Sequence, residues 1–238
     1  MREINLNEER EYENKKALGS NIRSPQSKYY WATRLPMEAH TAMVVGTITN
    51  KDIMEIGCAS GDSAKKYTKY ATSYVGFDLS NQAIQNCILL KLPNAKFICG
   101  DAHQIGMPDN SFDCIIVSGL LHHLDLTRAL PEIKRLLKTN GTLLFREPLG
   151  INPLINLYRY LTQYARTSDE RPFTYADLQL MKSYFHLENV QWFGFFSILS
   201  AFIKSTLLMK IMTRIDYIFS SLPIKYFYWQ FSGVARKK

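Results

Sequence analysis

Cysteine is scarce, and the four residues present, Cys58, Cys87, Cys99 and Cys114, are widely spaced. No pair has the Cys-x-x-Cys spacing of a redox centre or the clustering of a zinc site, which points to buried thiols in a reducing, cytoplasmic compartment. Met1 to Lys16 is packed with Glu, Asn, Arg and Lys and has no apolar core of the kind a signal peptide needs. The longest apolar run, Trp192 to Ile203, is cut short by Lys204 before it could cross a bilayer. Acid is nearly missing from the last fifth of the chain. From Val190 onward Lys204, Lys210, Arg214, Lys225, Arg236, Lys237 and Lys238 face only Asp216, so most of the formal charge of +8 sits there. Nucleic acid, an anionic membrane surface or an acidic substrate could each use that excess.

What is present reads as a folded chain. A hydrophobic fraction of 46% against 21% charged is globular, and 238 residues suit one sizeable α/β domain with additions. The first 45 residues are expected to form a helical arm, with Pro25 and Pro36 as breaks. Strand and helix signals then alternate: strands at 52–56, 74–77, 95–99, 112–118 and 142–145, helices at 62–71, 80–90 and 126–137. Thr139-Asn140-Gly141 forms a turn, and Ser80 is a plausible helix cap. The strand at 112–118 is almost wholly apolar, as one buried on both faces must be. This alternation predicts a Rossmann-like, doubly wound, mostly parallel sheet over residues 46–150. Residues 151–238 would supply a lid and complete the fold with a helical and aromatic cap, including a helix at 175–184 and a strand at 190–196.

In such sheets ligands bind beyond the carboxyl ends of the strands. Those ends carry Glu55, Asp78, Asp101, Ser118 and Glu147, four of the five acidic, which packing does not require. The first strand runs into Gly57-Cys58-Ala59-Ser60-Gly61, small residues that let a ligand approach the backbone beside a helix N-terminus. Asp78 follows Glu55 by 23 residues, where a carboxylate can accept hydrogen bonds from both ribose hydroxyls. Asp101 could accept from an adenine amine while the amide of Ala102 donates to a ring nitrogen. Together they describe a site for a nucleoside bearing an anionic group. Neither Gly-x-Gly-x-x-Gly nor Gly-Lys-Ser/Thr is present, so a dinucleotide or nucleoside triphosphate is disfavoured.

The stretches "DIMEIGCASGDSA", "VGFDLS", "GDAHQIGMPDNSFDCIIVSGLLHHL" and "LLKTNGTLLFREP" resemble the class I S-adenosylmethionine-dependent methyltransferases. The likeness is strongest to their small-molecule branch, which includes the ubiquinone/menaquinone methyltransferases. The resemblance implies that S-adenosylmethionine is the methyl donor and S-adenosylhomocysteine the product. Glu55, Gly57, Cys58, Ala59 and Gly61 would border the methionine moiety, Asp78 and Leu79 the ribose, and Asp101 and Ala102 the adenine. Ser118 and Leu120 would lie beneath the sulfonium. Ala59 replaces the usual middle glycine, which is tolerable if its φ is negative. Asn140 replaces a usual glycine, and asparagine tolerates the left-handed turn.

His122 and His123 are the candidate bases, with packing at a helix start as their other reading. Glu147 would bond either substrate or the loop that follows it. Arg159, Arg166, Asp169, Glu170 and Arg171 would form salt bridges that fix a lid, or touch substrate. Phe202, Leu207, Leu208, Ile211, Ile215 and Ile218 recur at helical spacing among Lys204, Lys210 and Arg214. That segment reads as a cap on the sheet, a membrane-surface contact, or the roof of an acceptor pocket. The acceptor expected is a small, partly apolar molecule made in biosynthesis. Alternatives are an RNA or protein methyltransferase and a non-catalytic cofactor-binding regulator. Nucleic acid fits less well, because no Asn/Asp-Pro-Pro-Tyr/Phe motif follows the fourth strand.

Overall fold

A computed structural model describes residues 5–19, 27–161 and 171–238. Arg166, Asp169, Glu170 and Pro25 lie outside the described residues. Seven strands form one sheet in the order β3-β2-β1-β4-β5-β7-β6: β1 Asp52–Ile56, β2 Ser73–Asp78, β3 Ala95–Cys99, β4 Phe112–Ser118, β5 Leu137–Pro148, β6 Phe185–Phe193 and β7 Gln230–Lys237. The pairs among β1 to β5 are parallel, and β7 runs antiparallel to both β5 and β6. The sheet is therefore mixed, mostly parallel and Rossmann-like.

The helices are α1 Leu6–Ala17, α2 Ser27–Ala32, α3 Arg34–Ile48, α4 Ala64–Tyr67, α5 Asn81–Leu89, α6 Leu126–Leu136, α7 Pro153–Leu161, α8 Tyr175–Tyr184, α9 Ser200–Ile203 and α10 Thr206–Phe219. The expected helix at 62–71 shrinks to α4, flanked by turns. Pro36 does not break a helix. It stands in the first turn of α3, where its missing N–H costs nothing.

Alternation along the strands places a core on each face of the sheet. Met54, Ile56, Ile115, Val117, Leu143 and Phe145 form one layer with α6 and α8. Ile53, Tyr74, Cys114, Ile116 and Leu144 form the other with α3 and α4. Helix α6 shows why the sequence folds so: Leu126, Ala129, Leu130, Ile133 and Leu136 recur on one face, and all are buried. Ser80 caps α5, its hydroxyl accepting from the Ala83 amide.

Three local differences from the sequence reading have physical reasons. Leu137 pairs with Phe112 while Thr142 pairs with Cys114, so residues 138–141 bulge out of a continuous β5 instead of forming a separate turn. Asn140 is not among the residues of positive φ. The aromatic strand begins earlier than expected, at Phe185, and ends where Gly194 takes φ +88°. Strand β7 was not expected as a strand at all. Its Gln230, Ser232 and Gly233 are covered because β7 lies between β5 and β6.

Helix α1 is docked on the body of the protein. Asn14 accepts from the Ser80 hydroxyl at 2.6 Å and the Gln82 amide at 3.3 Å, and the Asn86 side chain donates to the Ala17 carbonyl at 3.1 Å. These bonds join α1 to the start and middle of α5, beside the ends of β1 and β2.

Candidate active site

Strand order reverses between β1 and β4, which opens a crevice at the carboxyl end of the sheet. A cavity of about 230 Å³ fills it. Gly57, Ala59, Asp78, Leu79, Asp101 and Ala102 form one wall, and Ser118 and His123 stand on the β4 side.

Asp78 is fixed from both sides. Its Oδ2 accepts from the Ala59 amide and its Oδ1 from the Ser80 amide, each at 2.9 Å. Each oxygen keeps a lone pair for a further donor, as a diol would require. Burial raises its pKa, and the two amides partly offset that. Asp101 is held in turn by His103. The His103 amide donates to Asp101 Oδ1 at 2.9 Å, and the ring Nδ1 lies 2.6 Å from the same oxygen. His103 Nε2 accepts from the Asp125 amide at 2.9 Å, which assigns the ring proton to Nδ1 and its donation to Asp101.

The glycine loop has a geometry the sequence reading did not anticipate. Gly57 and Gly61 both take φ +82°, and Ala59 takes φ +45°. The expectation of negative φ at Ala59 is therefore corrected: alanine occupies a left-handed position, held there by the hydrogen bond its N–H donates to Asp78. A Cβ on Gly57 would lie 3.1 Å from Leu120, so a side chain there would press into the crevice. Gly61 has a different reason to be glycine. A Cβ there would meet Leu90 at 2.7 Å and Cys87 at 3.0 Å, so it secures helix packing and does not line the cavity.

Several expected site residues stand behind the cavity wall. Glu55 shares the face of β1 with Ile53 and is buried, accepting from the Ser63 hydroxyl at 2.6–2.7 Å and from the Tyr74 hydroxyl. Burial pushes its carboxyl up to about 6. It braces the loop against the turn that follows, while Ile56 on the opposite face lines the cavity. Cys58 is buried against α5, in a small cluster with Ile84 and Cys87. Glu147 accepts from the Leu120 amide at 3.0 Å and the Leu121 amide at 2.9 Å, and its Oε2 lies 2.7 Å from His122 Nδ1. The bond expected to the loop that follows Glu147 is therefore corrected: its partners lie in the loop after β4, the neighbouring strand. Burial pushes its pKa up to about 7, against the lowering effect of those amides. Arg171 takes the salt-bridge reading, pairing with Asp177 at 2.5 Å.

Other wall residues were missed. Leu6, Glu9, Glu13 and Lys16 come from α1, and Tyr30 comes from α2. Glu9 Oε1 lies 3.1 Å from His123 Nδ1. Their charged, unpatterned sequence held no signal that α1 docks here. Arg146, one residue before Glu147, also faces the cavity, and no carboxylate lies within ion-pair distance of it among the described residues.

The fit to an S-adenosyl cofactor rests on this geometry. A paired-amide carboxylate suits ribose hydroxyls, Asp101 with Ala102 suits an adenine edge, and the glycine cradle admits a chain close to backbone. Among the described residues no cluster of His, Cys, Asp or Glu suits a metal ion.

Comparison with known proteins agrees. Residues 54–145 match the family described as "Methyltransferase domain". A phthiotriol/phenolphthiotriol dimycocerosates methyltransferase of Mycobacterium ulcerans is 31% identical over 104 residues, 42% of this chain and 38% of that protein. The sterol 24-C-methyltransferase erg-4 of Neurospora crassa is 27% identical over 126 residues, 50% of this chain and 33% of that protein. The aligned part thus spans well under half the length of these curated relatives. The geranyl diphosphate C-methyltransferase of Streptomyces coelicolor, solved with Mg2+, geranyl diphosphate and S-adenosyl-L-homocysteine, superposes with a TM-score of 0.63. It is 10% identical and aligned over 85% of this chain and 81% of that one, a likeness of fold. Residues 54–145 of this chain are a methyltransferase domain of the class I, S-adenosylmethionine-dependent kind.

Proposed function

We propose that the chain transfers a methyl group from S-adenosylmethionine to a small, largely apolar acceptor. The observation that carries this reading is the cavity at the switch in strand order, with Asp78 held by two loop amides at one side and Ser118, Leu120 and His123 at the other. The two curated relatives are, by their names, a phthiotriol/phenolphthiotriol dimycocerosates methyltransferase and a sterol 24-C-methyltransferase, which supports an apolar acceptor. Leu6, Tyr30, Leu120 and Leu124 give the wall the same character.

The bound cofactor supplies an activated sulfonium methyl, so the protein's task is alignment and exclusion of water. Asp78 and Asp101 fix the nucleoside, and Glu147 holds the amides of the loop after β4, which sets the floor of the cavity. Where the acceptor must lose a proton, His123 is the residue in reach. Its ring lines the cavity beside Glu9, whose Oε1 lies 3.1 Å from Nδ1. His122 has its Nδ1 committed to Glu147 and stands behind the wall, a positioning role.

Calorimetry with S-adenosylhomocysteine tests the reading. The intact protein binds it, and Asp78→Ala weakens binding roughly 10- to 100-fold through the lost charged hydrogen bonds. No binding by the intact protein, or unchanged affinity in a folded Asp78→Ala variant, refutes it.

A further inference from the structure

Helix α10 has its amphipathic character turned partly inside out. Its inward face is anchored by Met209 and Asp216, both buried. Asp216 accepts from the amides of Gly194 at 3.1 Å, Phe196 at 2.7 Å and Ser197 at 3.3 Å, and from the Ser197 hydroxyl at 2.7 Å. The Tyr228 hydroxyl donates to the Asp216 carbonyl at 2.7 Å. The helix is thus held firmly to the loop after β6, and what it presents outward is a mixture of large apolar and cationic side chains.

Leu207 is 70% exposed, Ile218 66% and Ile211 45%, and their spacing puts all three in one strip of the outer face. Phe202 and Ile203 of α9, 66% and 68% exposed, extend that strip. Lys204, Lys210 and Arg214 are exposed along it, with Tyr217 on the cationic flank. None of the three cations has an ion-pair partner among the described residues. The acid of this segment, Asp216, is turned inward and spent on backbone amides, so the outer face is positive and uncompensated.

From this we infer that α9 and α10 form a docking surface for an anionic lipid bilayer, lying in its interfacial plane. An apolar crest flanked by lysine, arginine and tyrosine is what a headgroup region accommodates, with side chains entering the acyl boundary and cations at the phosphates. A 14-residue helix is about 21 Å long, enough to lie on a surface, and none of the described helices is long and apolar enough to cross a membrane. Nucleic acid would leave the crest of Leu207, Ile211 and Ile218 against water or phosphate. Helix α9 packs on α2, whose Tyr30 lines the cavity, so the docked face adjoins the wall of the site. An acceptor dissolved in the bilayer would meet that wall from the membrane side. This deepens the proposal of an apolar acceptor without depending on it, because membrane binding needs no cofactor.

The test is co-sedimentation of the full chain with phosphatidylcholine vesicles, with and without phosphatidylglycerol, in the absence of cofactor. The protein should pellet with the anionic vesicles and be released by salt. The variant K204Q/K210Q/R214Q should lose affinity on the order of a hundredfold, at about fivefold per cation. L207S/I218S should weaken binding while keeping the melting temperature and S-adenosylhomocysteine affinity of the intact protein. Failure to pellet with anionic vesicles overturns the inference, as does binding indifferent to both variants. A dimer seen by ultracentrifugation that L207S/I218S dissolves would assign the face to a second copy and overturn it equally.

Discussion

Replacing Ala59 by glycine should make this protein more stable, against the usual effect of that change. Glycine normally costs stability because the unfolded chain gains freedom, about 0.4–1 kcal/mol. Ala59, however, takes φ +45°, and the 2.9 Å hydrogen bond from its N–H to Asp78 keeps it there. An L-residue with a Cβ pays about 1–2 kcal/mol in that region, which glycine does not. The difference is a net gain of roughly 0.5–1 kcal/mol, or about 1–4 °C in melting temperature for a domain of this size. Lys91 provides the control, since it also takes a left-handed φ, of 50°, but is exposed and remote from the cavity. Urea denaturation and thermal melting of Ala59→Gly and Lys91→Gly would be compared with the intact protein. Both should gain stability. A gain at Lys91 with a loss at Ala59 would show that the loop is not strained and that the alanine methyl contributes packing that outweighs its conformation.

Two further outcomes follow from buried carboxylates. Burial holds the pKa of Glu147 at about 7, above the 4.5 it would have unfolded. The folded state therefore binds the proton more tightly, and this contribution to stability is present below about pH 4.5 and lost as pH rises toward 7. Glu147→Gln should flatten the fall in melting temperature between about pH 5 and pH 8, and an unchanged slope would refute the assignment. Asp216→Asn places an amide N–H₂ among the amides of Gly194, Phe196 and Ser197 and should cost about 2–4 kcal/mol, measured by denaturant unfolding. A loss within about 0.5 kcal/mol would mean those amides find other acceptors.

The parts legible in the sequence were those set by short-range pattern. The strand at 112–118, the acids at strand ends and the Ser80 cap follow from alternation and local hydrogen bonding, and they fall where expected. Which way a side chain faces was less legible. Glu55 ends its strand as Asp78 does, but Glu55 shares a face with Ile53 and points into the core. The sign of φ at Ala59 depends on Asp78, nineteen positions away, and no local pattern records it. Helix α1 is attached through Asn14 to Ser80 and Gln82, polar contacts across 66 and 68 positions, so its docking left no apolar stripe to read. Strand β7 hid for the converse reason: its burial comes from its neighbours, not from its own composition.

The place of β7 also bears on how the chain folds. Among β1 to β4 the most distant partners in sequence are those of β1 and β4, such as Ile53 and Cys114, whereas Thr142 of β5 must find Arg236 of β7 across a still longer stretch of chain. Such separations raise contact order and slow the search. Until β7 inserts, one edge of β5 and one edge of β6 offer unpaired backbone to any passing strand. The half of the sheet that carries Asp78 and Asp101 can form before that insertion. The half that carries Arg146, Glu147 and the anchor of α10 is completed by it, and that half sets the exposure to aggregation during folding.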